Sequence, residues 1–337
     1  MLRFVARRLG QTIVTLLAAS FLIFVLVESS PGTVARKMLG PFASANQVQI
    51  LHESLRLGDP LLLRYVRWFG VLTGVVADPL GSPELNLGFR DLRGQQYFGN
   101  FGFSTQMKQP VSDVLWSRLG NSLLLAGLAV CLIVPLALAM GMVAAINEGS
   151  AFDRAITVIG TVLASVPEFV SGVILVSIFV VMLGWLPGTS PLLPSGRWPV
   201  YVQLLLPVVV LALYVTAYVA RFVRTAFIEV LATPYIRTAI LKGLPLHSVV
   251  FGHAFRNAMI APFTVILLQI NWLFSGVVVT EVVFAYPGIG RLLLEAALFG
   301  DIAVIEAATL VAVCLATLTQ LMGDIGYMLL NPRIRFL

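Results

Sequence analysis

Six stretches of this 337-residue chain are too long and too apolar to have water as their solvent. Leu9–Val27, Leu119–Ile146, Pro199–Ala220 and Asn257–Thr280 contain no charged residue; Ala155–Trp185 contains only Glu168, and Ile302–Leu330 only Glu306 and Asp324. At about 1.5 Å of helix rise per residue, each covers a hydrocarbon core about 30 Å thick. In lipid every backbone polar group must be satisfied within its own segment or a closed barrel, so runs of this kind read as helices. The expected fold is an all-α membrane protein with six transmembrane helices. Composition agrees, since charged residues make up 11% of the chain against about 25% in soluble domains. That scarcity of charge excludes a disordered chain, and two cysteines exclude a disulfide scaffold. Cys131 and Cys314 sit within apolar runs and read as small buried hydrophobes.

The first stretch follows Arg3, Arg7 and Arg8, as a signal peptide would. Its apolar region of 19 residues exceeds the usual range of about 7–15, and Val27-Glu28-Ser29-Ser30 offers no small-residue cleavage site. A retained first helix, residues 1–28, is expected. With the N-terminus inside, segments 1–8, 147–154, 221–256 and 331–337 carry eleven Lys and Arg. The short outer loops, 186–198 and 281–301, carry only Arg197 and Arg291. The positive-inside rule then places both termini in the cytoplasm and leaves 29–118 as a long extracytoplasmic loop. The net charge of +6 is therefore read as an orientation signal, and no nucleic-acid partner is expected. Within the long loop, Leu61–Leu72 interleaves Tyr65, Trp68 and Phe69 with Arg64 and Arg67. That pattern predicts a short helix on the membrane surface, its aromatic side in the headgroups.

The residues that catalysis would need are missing. None of the three lysines, Lys37, Lys108 and Lys242, follows a glycine, so a phosphate-cradling G-x-x-x-x-G-K-[ST] loop is impossible. His52, His247 and His253 form no H-E-x-x-H zinc site, and no serine stands in a nucleophile turn beside a base. No catalytic residue, metal site or resident cofactor is expected.

Residues 221–256 hold the most informative local chemistry. Tyr235–Leu241 has room for one or two helical turns, Lys242 lies where a C-terminal dipole favours a cation, and Gly243 suits a left-handed cap. Pro245 prevents continuation. A short capped helix between two spans fits a partner's cleft; an ordinary basic loop satisfying the positive-inside rule fits the same residues.

Tyr235-Ile236-Arg237-Thr238-Ala239, Lys242-Gly243-Leu244 and His253-Ala254 with Arg256-Asn257-Ala258 resemble the EAA loop of ABC-transporter permeases in its peptide-importer form. Further similar blocks are Ser30-Pro31-Gly32, Leu57-Gly58-Asp59-Pro60, Phe284-Ala285-Tyr286-Pro287-Gly288 and Asn331-Pro332-Arg333. In order and coverage the chain resembles the first permease subunit of the dipeptide/oligopeptide/nickel family. The resemblance implies a type I importer permease fold, with residues 119–337 as a five-helix permease core and 221–256 as its coupling loop. It also implies a bacterial inner-membrane location, a second permease subunit, two ATP-binding subunits holding ATP and Mg2+, and an extracytoplasmic substrate-binding protein. Glu229, Tyr235, Arg237, Thr238, Ala239, Lys242 and Gly243 are the implied ATPase-coupling residues. The cargo would be short peptides or related small solutes.

The chain departs from that family's pattern in three places. About 25 residues, roughly Val75–Gly99, are extra; they read either as a segment folding over the outer mouth or as an inert solvated loop. Near Gly300-Asp301-Ile302 the usual turn is altered. Glu168 stands where the family has an uncharged residue. By helix rise from Ala155 it lies about 20 Å into the membrane, whereas Glu306 and Asp324 sit near the ends of their helix, within reach of water. An acid at that depth should face the pathway, as a contact for a cationic part of the cargo, or pack as a protonated side chain against a neighbouring helix. Gln269 and Asn271 are further pathway candidates. A rival reading is an ion-coupled secondary transporter using Glu168 as its ion site, but it leaves the EAA-like run without a role.

Overall fold

The computed structural model describes residues 2–28, 36, 43–54, 56–77, 98–104, 106–193 and 198–330. The extra segment's residues 78–97, the Ser30-Pro31-Gly32 block and the C-terminal block from Asn331 lie outside the described residues. Thirteen helices are named here in chain order: α1 Leu2–Glu28, α2 Ala45–Ser54, α3 Leu61–Leu72, α4 Val111–Ile146, α5 Ala151–Ser165, α6 Glu168–Met182 and α7 Val200–Leu231. They continue as α8 Pro234–Leu241, α9 Leu246–Ala258, α10 Ile260–Gly276, α11 Val278–Val283, α12 Ile289–Phe299 and α13 Ile302–Leu330. A two-stranded antiparallel hairpin, β1 Phe103–Ser104 with β2 Gln109–Pro110, precedes α4.

Helices α1, α4, α7 and α13 are long and apolar enough to cross a membrane unbroken. The third and fifth apolar stretches are broken, so the described residues provide four spans, or six if each bent pair counts as one. Between α5 and α6 the chain turns through 99°. Pro167 causes this: its ring disfavours helical backbone at the residue before it, and Val166 is extended at φ −87°, ψ 125°. The 59° bend between α9 and α10 has a related origin. Pro262 lacks the N–H that would bond the Ala258 carbonyl four residues earlier, and its ring crowds that carbonyl.

The chain divides into two compact units, each described by itself. One comprises Met1–Asn121 with Gly288–Leu315. Its core joins Val111, Leu115 and Leu119 of α4 to Leu292 and Ala296 of α12 and Ala307 and Val311 of α13. The Asp301 carboxylate accepts from Ser104 Oγ at 2.5 Å and from the Val304 amide at 3.4 Å, fastening the hairpin to the first turn of α13. Helix α3 lays its aromatic side on α1. Tyr65 and Trp68 pack against Phe21 and Phe24 of α1, and the Tyr65 hydroxyl lies 2.8 Å from Ser20 Oγ. The face left exposed is Leu62, Leu63 and Val66. Arg64 is buried and paired with Glu28; that burial pulls its guanidinium pKa down, with the Glu306 carboxylate acting the other way.

Glu306 is the sharper correction. It does not sit within reach of water but is 4% exposed, hydrogen-bonded to the Trp68 indole. Glu168, expected to be the deep acid, is the less buried of the two. Helix rise gives depth only along a straight helix, and the chain bends by 99° at Pro167. Cys131 is also exposed on α4 rather than buried.

The second unit comprises Ser122–Pro287 with Ala316–Leu337. Its core is built around α7, with Leu211, Val215, Val219, Val223 and Phe227 meeting Leu125, Ala129 and Ile133 of α4. Small residues let the helices approach closely. Gly160 of α5 lies against Ala217, and Gly141 of α4 is closer still to α7: a Cβ there would stand 2.5 Å from the Val223 Cβ. At one end of this unit, Arg224 of α7 donates from Nε and Nη2 to the two Asp153 oxygens, at 2.5 and 2.7 Å. Ser150 caps α5 by accepting the Asp153 amide at 3.1 Å. A planar guanidinium on a carboxylate fixes direction as well as distance, so the α5 start is held in register with α7.

Candidate functional site

The sequence around residue 240 folds locally as its residues dictate. Thr233 is extended, Pro234 occupies the first helical position where its missing N–H costs nothing, and α8 runs to Leu241. Gly243 is left-handed at φ +77°. The Gly243 amide donates to the Ile240 carbonyl at 2.9 Å and the Leu244 amide to Ala239 at 3.4 Å. These two bonds form a Schellman cap that satisfies carbonyls the helix end would leave open.

Two side chains seat this helix. Ile236 and Ala239 are buried and join the core formed by Phe227, Val249, Val250 and Ala254. Ala239, expected among the coupling residues, therefore faces inward. Glu229, Tyr235, Arg237, Thr238, Lys242 and Gly243 are all exposed. Beside them stand apolar side chains that a solvated loop would not display: Leu241 is 82% exposed, Phe251 65%, Leu246 55% and Ile240 52%. Apolar groups clustered on a polar rim mark a surface that a partner covers. Arg237 and Lys242 supply positive charge at its edge. A polar contact ties the patch to the neighbouring element: Asn257 Nδ2 of α9 donates to the Tyr235 hydroxyl at 2.8 Å.

A second group of polar residues gathers around α11. Glu168, in the first turn of α6, accepts from Thr280 Oγ1. The adjacent Glu281 accepts from Ser122 Oγ of α4 at 2.5 Å. Thr280 and Glu281 are each 1% exposed. Burial, with the Glu281 carboxylate adding to it, raises the Tyr286 phenol pKa above its ordinary value and keeps it neutral. The Ser190 amide donates to the Phe284 carbonyl at 2.7 Å, attaching the loop after α6 to the same element. Ser122, Thr280 and Glu281 do not stand out in the sequence; the nearest signal is the Phe284–Gly288 block that follows Glu281. Gln269 of α10 projects its Oε1 into the protein, with no hydrogen-bond partner among the described residues. The side chain of Asn271 lies outside the described residues. The structure brings Glu168 together with Thr280, but shows no contact between Glu168 and Gln269 among the described residues. Nor do the described residues place any three His, Cys, Asp or Glu so as to hold a metal ion.

Residues 137–336 match the family described as the binding-protein-dependent transport system inner membrane component, and residues 1–126 match its N-terminal counterpart. The chain is 33% identical over 334 residues to the probable peptide ABC transporter permease protein y4tP of Sinorhizobium fredii, covering 99% of each chain. It is 34% identical over 336 residues to the glutathione transport system permease protein GsiC of Escherichia coli K12, covering 100% of each. Neither match leaves a substantial part of the chain unaccounted for.

Proposed function

The chain belongs to the inner-membrane component family of binding-protein-dependent transport systems, and from that premise we propose that it forms half of an ATP-driven import pathway for short peptides. The chain is a membrane permease, of the kind its relatives' names describe. In this reading ATP is hydrolysed, with Mg2+, by two separate subunits, one of which docks on α8, and a second permease completes the pathway. A binding protein delivers cargo from the other side of the bacterial inner membrane, and both termini lie in the cytoplasm. The names of the relatives, peptide and glutathione permeases, support a short-peptide cargo.

The observation that carries the docking assignment is the capped α8, seated by Ile236 and Ala239 while Ile240 and Leu241 point outward. Leu241→Asp puts a charge where an apolar contact is expected and touches no core side chain. An affinity-tagged chain, extracted from membranes with its complex, should bring down a second permease and ATP-binding subunits; with Leu241→Asp the permease should remain and the ATP-binding subunits should be lost. Retention of those subunits by the variant would refute the assignment.

Glu168 is proposed as a contact for the amino group of the passing peptide. Such a charge-assisted bond is worth about twice a neutral one. Glu168→Gln retains an oxygen for Thr280 but loses the charge. Uptake of a free-amine tripeptide should fall roughly 3- to 10-fold, about 1 kcal/mol, while its N-acetylated analogue is indifferent. Equal effects on both peptides would leave Glu168 as a packing residue.

A further inference from the structure

We propose that the bond between Asn257 and Tyr235 is the strut through which α8 moves the base of α10, making Asn257 a positioning residue for the transport cycle. The inference rests on the docking role given to α8 above. Helix α8 is eight residues long and only Ile236 and Ala239 anchor it in the core, so a push on its exposed side can rock it about that seat. The Asn257–Tyr235 contact reaches from its first turn across 22 residues of chain to the end of α9. Asn257 stands two residues before Met259, where the chain turns 59° into α10. A displacement of Tyr235 is thereby delivered at the hinge of a bent span.

The geometry of that hinge makes it responsive. Residues Val249–Ala254 of α9 are π-helical, with the Phe255 amide donating to the Val250 carbonyl five residues back. A π-helical turn is a register defect that a helix can shift along its axis, and such turns concentrate at working sites. Pro262 has removed the bond that would otherwise stiffen the join. Both strut residues are exposed, and an exposed neutral hydrogen bond adds little to folding because water competes for both partners. Its placement between a docking surface and a hinge, rather than its strength, is what the bond contributes.

The test uses the assembled transporter in lipid vesicles, with Cys131 and Cys314 replaced by serine and Thr264→Cys as a reporter. Thr264 is exposed in the second turn of α10, beside a groove that also includes Gln320 and Asp324. The probe is N-ethylmaleimide, and its rate at the reporter is compared between the nucleotide-free complex and the complex trapped with ATP and vanadate. In the parent the two rates should differ several-fold. Asn257→Leu should shrink that difference to less than a third, with ATP-binding subunits still co-purifying and basal ATP hydrolysis unchanged. Asn257→Asp, which accepts from the Tyr235 hydroxyl instead of donating to it, should restore the difference. In a Tyr235→Phe background Asn257→Leu should add nothing. An undiminished difference in Asn257→Leu, or no difference in the parent, overturns the strut. The Leu241→Asp pull-down separates the two proposals. If it loses the ATP-binding subunits, docking stands and only the strut is in question; if it keeps them, both fall.

Discussion

Valine at position 243 should abolish coupling while the membrane helices still insert and pack. Gly243 sits at φ +77°, a conformation in which a β-branched side chain collides with its own backbone. Nothing lies within 4 Å of where a Cβ would stand, so the penalty is one of backbone conformation alone. A left-handed residue costs roughly 1–2 kcal/mol when it carries a Cβ, and more when that Cβ is branched. This makes a graded series the diagnostic. Gly243→Asn should be close to native because asparagine tolerates the left-handed region. Gly243→Ala should be intermediate, and Gly243→Val should undo the cap. Losing the Gly243–Ile240 and Leu244–Ala239 bonds would swing Leu244 and Leu246 away from Leu241. If docking falls by about 2 kcal/mol, the affinity for the ATP-binding subunits drops roughly 30-fold. The check is the amount of those subunits retained by each variant at fixed concentration. Equal retention across the series would show that the cap plays no part in docking.

Gly141→Ala is expected to be the most damaging single-methyl addition in the second unit. The new Cβ would stand 2.5 Å from Val223 Cβ, 2.6 Å from Val223 Cγ1 and 2.7 Å from the Ala220 carbonyl oxygen. The valine side chain could in principle turn, but the carbonyl belongs to the α7 backbone and cannot. Helix α4 must therefore move off α7, opening gaps along Ala129, Ile133, Val215 and Val219. Overpacking of this kind costs about 1–3 kcal/mol, occasionally more, and the backbone contact places this case at the upper end. Gly127→Ala on the same helix is the control. No atom lies within 4 Å of its added methyl, and alanine is the better helix former by up to about 1 kcal/mol. Thermal unfolding in a fixed detergent should show Gly141→Ala melting well below the parent and Gly127→Ala at or above it. If the two variants melt together, α4 and α7 do not meet as closely as described.

The same pair of glycines shows what can be read from a sequence and what cannot. Gly127 and Gly141 lie in one uncharged run, and nothing in their neighbours distinguishes them. Gly243 was legible, because its role is set by residues within a turn of it: a helix before, a proline after and a polar end to cap. Pro167 is a comparable local signal for a break, but the 99° angle of the turn it produces is not set by the residues beside it. Helix rise along a straight span makes Glu168 the deep acid and sets Glu306 near water, and the structure reverses their burial.

The membrane class, the positions of the apolar stretches and the room for a capped helix at Tyr235–Leu241 were determined by sequence alone. Each depends on solvent exclusion or backbone conformation over a few consecutive residues, and the chain carries that information wherever it folds. Tertiary structure alone decided that Asp153 meets Arg224 from 71 residues away, that Ser122 holds Glu281 from 159, and that Ala239 turns inward while Leu241 does not. Such pairings depend on which faces two distant helices present to each other. That is fixed by the packing of the whole unit, where a few tenths of an ångström between backbones decide whether a glycine is required, and no short window of sequence records that distance.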